Sequence, residues 1–371
     1  MLIRRVGPAA IGHPNAWRRS DFSSKDDFAF DLAQRHVGAL ETAIAGVRRR
    51  GLAREAVAKA DMPLPEIAAE IAAWRREISA RRGFVLLRGF PVERWGEADS
   101  ELAFWGLGLH FGRAVVQSPL GDRLGYVTDA SRPGGKERGY RSAMELTPHT
   151  DSDDIVGLLC LRAARAGGLS RFISGYTLWN EIVAAHPEFI KPLMRGYHCH
   201  WFGEEPPGEP EISSYRIPIF SLAKGQLSIC YLREFIDWGA KKRRYAHRAI
   251  DEAALGFFAA LCERPDLRLE FRYEPGECCF WNNYTMLHAR TAFEDDPEPT
   301  KKRLLLRLWL QAEPRRPVHS NLRRYYGSDG VAIQPHRTST EYQGPAGHNR
   351  KGLAARGPRG LVQRLLRHVD R

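Results

Sequence analysis

His149-Thr150-Asp151 sets an imidazole and a carboxylate two residues apart. On an extended stretch, positions i and i+2 leave the same face of the strand, so the two side chains converge. His288 follows 139 residues later, just past a strand expected to end at Trp281 and Asn282. Two histidines and one carboxylate on one side of an ion leave three positions open for other ligands, as in mononuclear iron(II) oxygenases. Zinc hydrolases use similar ligands, so these residues alone do not choose the metal, and a lone H-x-D triplet reads equally as a solvated turn. Thiolate ligands are not expected. The six cysteines, Cys160, Cys199, Cys230, Cys262, Cys278 and Cys279, show no C-x-x-C spacing and read as reduced core thiols.

A second chemical signal lies in Arg303–Gln311, RLLLRLWLQ. With a two-residue period, Leu304, Leu306, Leu308 and Leu310 share one face, and Arg303, Leu305, Arg307, Trp309 and Gln311 share the other. Two arginines thus face the same way on a strand hydrophobic enough to be buried. Burying a guanidinium is costly unless an anion answers it, and its planar fork suits a carboxylate, such as one end of a dicarboxylic acid. The plain alternative is a strand with one wet face. His198 and His200 also share a face but lack a carboxylate at matching spacing, and they read as structural. Asp153 and Asp154 read as a turn or supporting pair, and Trp281 and Trp309 as core aromatics.

The elements that must position these groups are mostly short strands. Helical periodicity is expected over residues 26–50 and 64–81, then near 179–186 and 248–263. Strands are expected at 84–89, 155–161, 171–174, 227–231, 268–273, 277–282 and 303–311. Many strands separated by turns and a few helices point to an α+β jelly roll or sandwich with peripheral helices. No G-x-G-x-x-G or G-x-x-x-x-G-K-[ST] motif supports nucleotide binding. Three divisions are expected: a helical segment at 1–82 packing on the core, a catalytic domain at 83–312, and a loose basic tail at 313–371 with a short helix near 361–369. The tail beyond about Pro317 is expected to be dispensable for the chemistry.

Of 371 residues, 43% are apolar and 27% charged, enough for a substantial core. The formal charge is +12, and residues 313–371 hold 12 Lys and Arg against 4 Asp and Glu, two-thirds of the surplus. The body is therefore only mildly basic, which disfavours nucleic acid as partner. Apolar stretches such as Ile155–Leu161 are far below the roughly 20 residues of a spanning helix. With no secretory signal pattern in the first residues, a cytoplasmic enzyme without membrane contact is expected.

Seven segments in order, GFVLLRGF at 83–90, HFG at 110–112, H-T-D at 149–151, GGLSRFIS at 167–174, FWNN at 280–283, LHART at 287–291 and RLLLRLWL at 303–310, resemble the taurine dioxygenase and clavaminate synthase superfamily. These are iron(II)- and 2-oxoglutarate-dependent oxygenases, and the resemblance spans roughly residues 83–312. It implies a distorted double-stranded β-helix, a relative of the jelly roll. It makes His149, Asp151 and His288 the iron ligands, and Ser170 and Arg303 the holders of the distal carboxylate of 2-oxoglutarate. Arg307, Glu145 and Gln117 are implied as contacts to the prime substrate. Glu145 replaces an asparagine of the taurine enzyme and suits a cationic nitrogen, so a substrate other than taurine is expected. The implied reaction consumes O2 and 2-oxoglutarate, releases succinate and CO2, and hydroxylates, desaturates or cyclises a small polar, acid-bearing molecule such as an amino acid derivative. Halogenation is disfavoured because Asp151 fills the position a halide needs. The rivals are a non-catalytic small-molecule sensor on the same fold and an oxygenase acting on nucleic acid; a homo-oligomer is left open.

Overall fold

The computed structural model describes residues 8–131 and 138–337. Its larger sheet runs Ala29–Asp31, Phe84–Arg88, Cys278–Asn282, Ile155–Arg162, Leu304–Ala312 and Gly112–Ala114, with Leu124–Val127 also pairing to Leu304–Ala312. The first pair is parallel and the others antiparallel. A smaller antiparallel sheet runs Arg268–Phe271, Ser170–Ser174, Met286–Arg290 and Leu146–His149. From residue 146 to 174, and again from 268 to 312, these core strands alternate between the two sheets.

The leucine stripe decides which way the long strand faces. Leu304, Leu306, Leu308 and Leu310 are buried with Ile44, Trp74, Phe104 and Leu107, from the helices Gln34–Arg49, Ala68–Ala80 and Val92–Leu109. Leu305 and Trp309 point the other way, into a core between the sheets with Phe84, Val156, Phe172, Leu269 and Trp281. Each fully buried leucine contributes about 1.5–3 kcal/mol. The helix approaches so closely that a Cβ on Gly108 would lie 2.6 Å from Leu308 Cδ1. A third core joins the helices Gly175–Ala185, Ile190–Arg195, Arg233–Lys242 and Ala249–Cys262 to the hairpin Phe220–Ala223/Gln226–Ile229.

Several expectations change. Within 26–50 only Gln34–Arg49 is α-helix, because Ala29–Asp31 fills the open edge beside Phe84–Arg88. Val92–Leu109 is helical on either side of a kink at Gly96, whose φ is 67°, and periodicity missed it. Glycines at 96, 106 and 108 weaken its helical signal, while Gly108 is what its docking needs. The largest correction concerns the tail. Arg315 pairs with buried Asp153 and Asp154 at 3.1 and 3.6 Å, and Arg316 donates to the Leu227 carbonyl at 2.6 Å. The helix Ser320–Tyr326 buries Leu322 and Tyr326, whose hydroxyl lies 3.1 Å from Cys230 Sγ. Val116 bridges Gly330, and Asp329 receives Arg113 and Arg123 at 2.5 Å each. Residues 313–337 therefore pack on the body, since Arg315 answers buried carboxylates, Arg316 a backbone carbonyl, and Asp329 two arginines of the body. Residues 338–371, including the helix expected near 361–369, lie outside the described residues. Among the described residues no helix is long and apolar enough to cross a membrane.

Candidate active site

His149 ends the strand Leu146–His149, and Asp151 lies in the turn after it. That turn is pinned from opposite sides. Asn283 accepts from the Asp151 N–H at 2.9 Å and donates to the carbonyls of Asp151 and Asp153 at 2.7 and 3.0 Å, while the Thr150 N–H donates to the Tyr231 carbonyl at 2.9 Å. His288 is inside a strand of the smaller sheet, Met286–Arg290, and stands directly opposite His149. Asp151 Oδ1 is 3.8 Å from His149 Nε2, and Oδ2 is 3.6 Å from His288 Nε2. All three donor atoms lie within 4.8 Å of one another.

The electrostatics suit a cation. The His149 Nδ1–H donates to the Thr147 carbonyl at 2.7 Å, which leaves the Nε2 lone pair facing inward. Burial, with His149 alongside, pushes the His288 pKa down to about 3, so its imidazole is neutral and able to ligate at neutral pH. Burial alone would raise the Asp151 pKa, yet Arg307, both histidines and the Trp309 N–H hold it below the usual carboxylate range. Two imidazoles and an ionised carboxylate fit a divalent first-row metal.

The donors open onto a cavity of about 130 Å³ that also reaches Ser170, Tyr273, Arg303 and Arg307. Pairing sets its direction: His288 lies opposite Phe172, and two residues on Arg290 lies opposite Ser170. Beyond Ser170, a Cβ on Gly168 would sit 3.6 Å from Arg303 Nε, and the Arg303 guanidinium lies over the Phe293 ring. Arg303 is 4% exposed, its Nη1 has no hydrogen-bond partner, and burial lowers its pKa. A desolvated guanidinium with an idle N–H suits a carboxylate. A second cavity of about 310 Å³ shares Asp151 and Trp309 with the first and is walled by Trp201, Glu204 and residues 325–333.

The other expected site residues are placed differently. Arg307 lines the cavity, but its Nε donates to Gln117 Oε1 at 2.8 Å and its Nη1 lies 3.4 Å from Asp151 Oδ2. Its guanidinium is sandwiched between Tyr140 and Trp309, 4.4 and 4.5 Å from the ring centres. Gln117 also donates to the carbonyls of Arg123 and Arg307, both at 2.8 Å. Neither Gln117 nor Glu145 lines either cavity. Glu145 pairs instead at 2.8 Å with Arg171, whose side chain faces away from Ser170 and Phe172. Sequence reasoning missed Asn283 and the polar role of Trp309, whose Nε1–H donates to Asp151 Oδ2 at 2.8 Å. The signal for Trp309 was present, because it shares the strand face of Arg303 and Arg307.

Two imidazoles and a carboxylate, with an unanswered arginine at the far end of the same cavity, define a non-haem metal oxygenase that takes an organic-acid cosubstrate. Residues 48–309 match the family described as Taurine catabolism dioxygenase TauD, TfdA family. The chain belongs to that family and is an iron(II)- and 2-oxoglutarate-dependent dioxygenase. It is 30% identical over 327 residues to FR-33289 synthase of Streptomyces rubellomurinus, covering 86% of this chain and 96% of that protein. It is 27% identical over 306 residues to the Taurine hydroxylase-like protein SAT17 of Stachybotrys chartarum, covering 79% of this chain and 77% of that one. Among solved structures, asparagine oxygenase in complex with Fe(II), 2S,3S-3-hydroxyasparagine and succinate aligns with TM-score 0.62 at 17% identity, over 82% of this chain and 99% of that one. OrfP in complex with Fe and alpha-ketoglutaric acid aligns with TM-score 0.55 at 14% identity, with the same coverage. At these identities the structural likeness is one of fold.

Proposed function

We propose that the chain hydroxylates a C–H bond of a small, polar, acid-bearing amino acid derivative. One observation carries the reading: a single cavity joins the His149, Asp151 and His288 donors to the buried, partnerless Nη1 of Arg303. In this reading His149 Nε2, Asp151 and His288 Nε2 hold iron(II), and Arg303 with Ser170 holds the distal carboxylate of 2-oxoglutarate. Iron(II) with O2 supplies the oxidising power that couples decarboxylation of 2-oxoglutarate, to succinate and CO2, to attack on the C–H bond. The chain's own part is positioning. Arg303 would orient the cosubstrate, and Trp309 and Arg307 fix the Asp151 carboxylate. The prime substrate belongs in the larger cavity, which borders Asp151 and Trp309. An amino acid derivative is supported by asparagine oxygenase and OrfP, whose complexes hold 3-hydroxyasparagine and (3S)-hydroxy-L-Arg.

The facing sheets, with strands alternating between them, accord with a distorted double-stranded β-helix, to which residues 313–337 add a wall. The six buried, unpaired cysteines accord with a reducing, cytoplasmic setting. The test is an anaerobic screen of amino acids, small sulfonates and betaine-like acids against iron- and 2-oxoglutarate-loaded protein, read by the visible absorption band, followed by succinate assay. A compound that perturbs the band and stimulates succinate release supports the reading. No 2-oxoglutarate-dependent band in the loaded protein would sink it.

A further inference from the structure

The far end of the cavity contains a polar group that neither the fold nor the metal site uses. Tyr273 is 3% exposed and lines the same cavity as Arg303 and Ser170. It lies two residues beyond Phe271, which stands directly opposite Ser170. Leu269, Phe271 and Tyr273 therefore all turn into the space between the sheets, where they join one core. The phenol reaches the Cys279 thiol alone, and its oxygen otherwise has no hydrogen-bond partner. A thiol is a weak acceptor, and buried tyrosine hydroxyls usually find a better one. Burial also pushes the phenol well above its usual pKa, so at neutral pH it keeps its proton and donates. Arg303 Nη1 is a second idle donor lining the same cavity. A carboxylate offers about four lone-pair sites and no donor, which is what two idle donors require.

We propose that Tyr273 is a third donor to the distal carboxylate of 2-oxoglutarate, beside Arg303 and Ser170, and that it makes the site discriminate a diacid from its monocarboxylate analogue. The proposal rests on the function proposed above. Ser170 faces the cavity from the smaller sheet and Arg303 from just before a strand of the larger one, and Tyr273 approaches from the segment that follows Arg268–Phe271, the strand paired with that of Ser170. The carboxylate is thus held on several sides, and 2-oxopentanoate, with a methyl in place of that carboxylate, strands all three donors.

The test uses the full chain loaded with iron(II) under anaerobic conditions. 2-Oxoglutarate and 2-oxopentanoate are each titrated into wild type and Tyr273→Phe by calorimetry, and iron affinity is measured in parallel. Loss of one hydrogen bond to a charged group weakens 2-oxoglutarate binding about ten- to a hundredfold, with 2-oxopentanoate and iron binding unchanged. A merely structural role would weaken both acids together or neither, and either outcome overturns the assignment. Should the phenylalanine variant fail to fold, Tyr273→Leu is read by the same selective loss. If wild type binds 2-oxoglutarate and the variant is indistinguishable from it, Tyr273 alone is misassigned. If wild type shows no saturable 2-oxoglutarate binding, the proposed function falls and this assignment with it.

Discussion

Arg303, immediately before the strand Leu304–Ala312, and Arg307 within it stand four residues apart, about 13 Å at the rise of an extended chain, yet their surroundings are opposite. Arg307 is engaged by its own chain, with Gln117 on Nε, Asp151 near Nη1 and the rings of Tyr140 and Trp309 against its guanidinium. Arg303 has the Phe293 ring on one side and an Nη1 that meets nothing. A buried guanidinium whose bonds are filled by its own chain is a structural part. One whose bonds are unfilled is waiting for a ligand, because an uncompensated buried charge is among the costliest arrangements in a protein. The metal end of the cavity is thus built from within, and the far end is completed from outside.

The strongest break in that contrast is at the metal end itself. His149→Ala, Asp151→Ala and His288→Ala should each abolish substrate-coupled succinate release, measured against wild type with iron(II) and 2-oxoglutarate. Full activity of Asp151→Ala with zinc and no 2-oxoglutarate would reverse the reading. At the far end, Arg303→Ala should cost about 3–5 kcal/mol of cosubstrate binding, or two to four orders of magnitude in affinity, by 2-oxoglutarate titration. Arg307→Ala should leave that affinity much less changed, and equal losses at the two positions would erase the distinction.

Stability sharpens the comparison further. In protein stripped of metal and 2-oxoglutarate, Arg303→Met, which removes a buried charge whose Nη1 has no hydrogen-bond partner, should raise unfolding stability by about 1–4 kcal/mol. Arg307→Met, which strips Asp151 and Gln117 of a partner, should lower it, and denaturant midpoints decide between the signs. Trp309→Phe removes the 2.8 Å bond to Asp151 while keeping an aromatic ring beside Arg307. Iron(II) affinity should then fall about tenfold to a hundredfold, as for other groups that orient a ligand, with cosubstrate affinity in the metal-loaded protein preserved.

The smallest effect concerns the segment that walls the larger cavity. Burial would raise the Asp329 pKa, but bonds from Arg123 and Arg113 outweigh it and hold the carboxyl below its usual value. With the folded value depressed, the stabilisation is present above the ordinary carboxylate pKa and disappears as pH falls through the folded one. Asp329 is 41% exposed, so Asp329→Asn should cost no more than about 1 kcal/mol near neutrality. The difference in urea midpoint should shrink below about pH 4.

The sequence by itself determined what depends on local period and residue type. Alternation in RLLLRLWLQ set which side of the strand carries arginine, and H-x-D with a later histidine supplied a metal-binding set. The tertiary structure decided partnership. Whether an arginine is idle or engaged depends on what the other sheet and distant loops bring to it, and Gln117 reaches Arg307 across 190 residues of chain. The same limit hid that Trp309, a core aromatic as expected, also donates to Asp151, and it took Glu145 and Gln117 away from the cavity wall. It also drew 313–337 into the body, because Arg315 meets Asp153 and Asp154 only when the chain has returned to them. Strand period says which face a side chain takes; hydrogen bonds and ion pairs are set by three-dimensional proximity, which period does not encode.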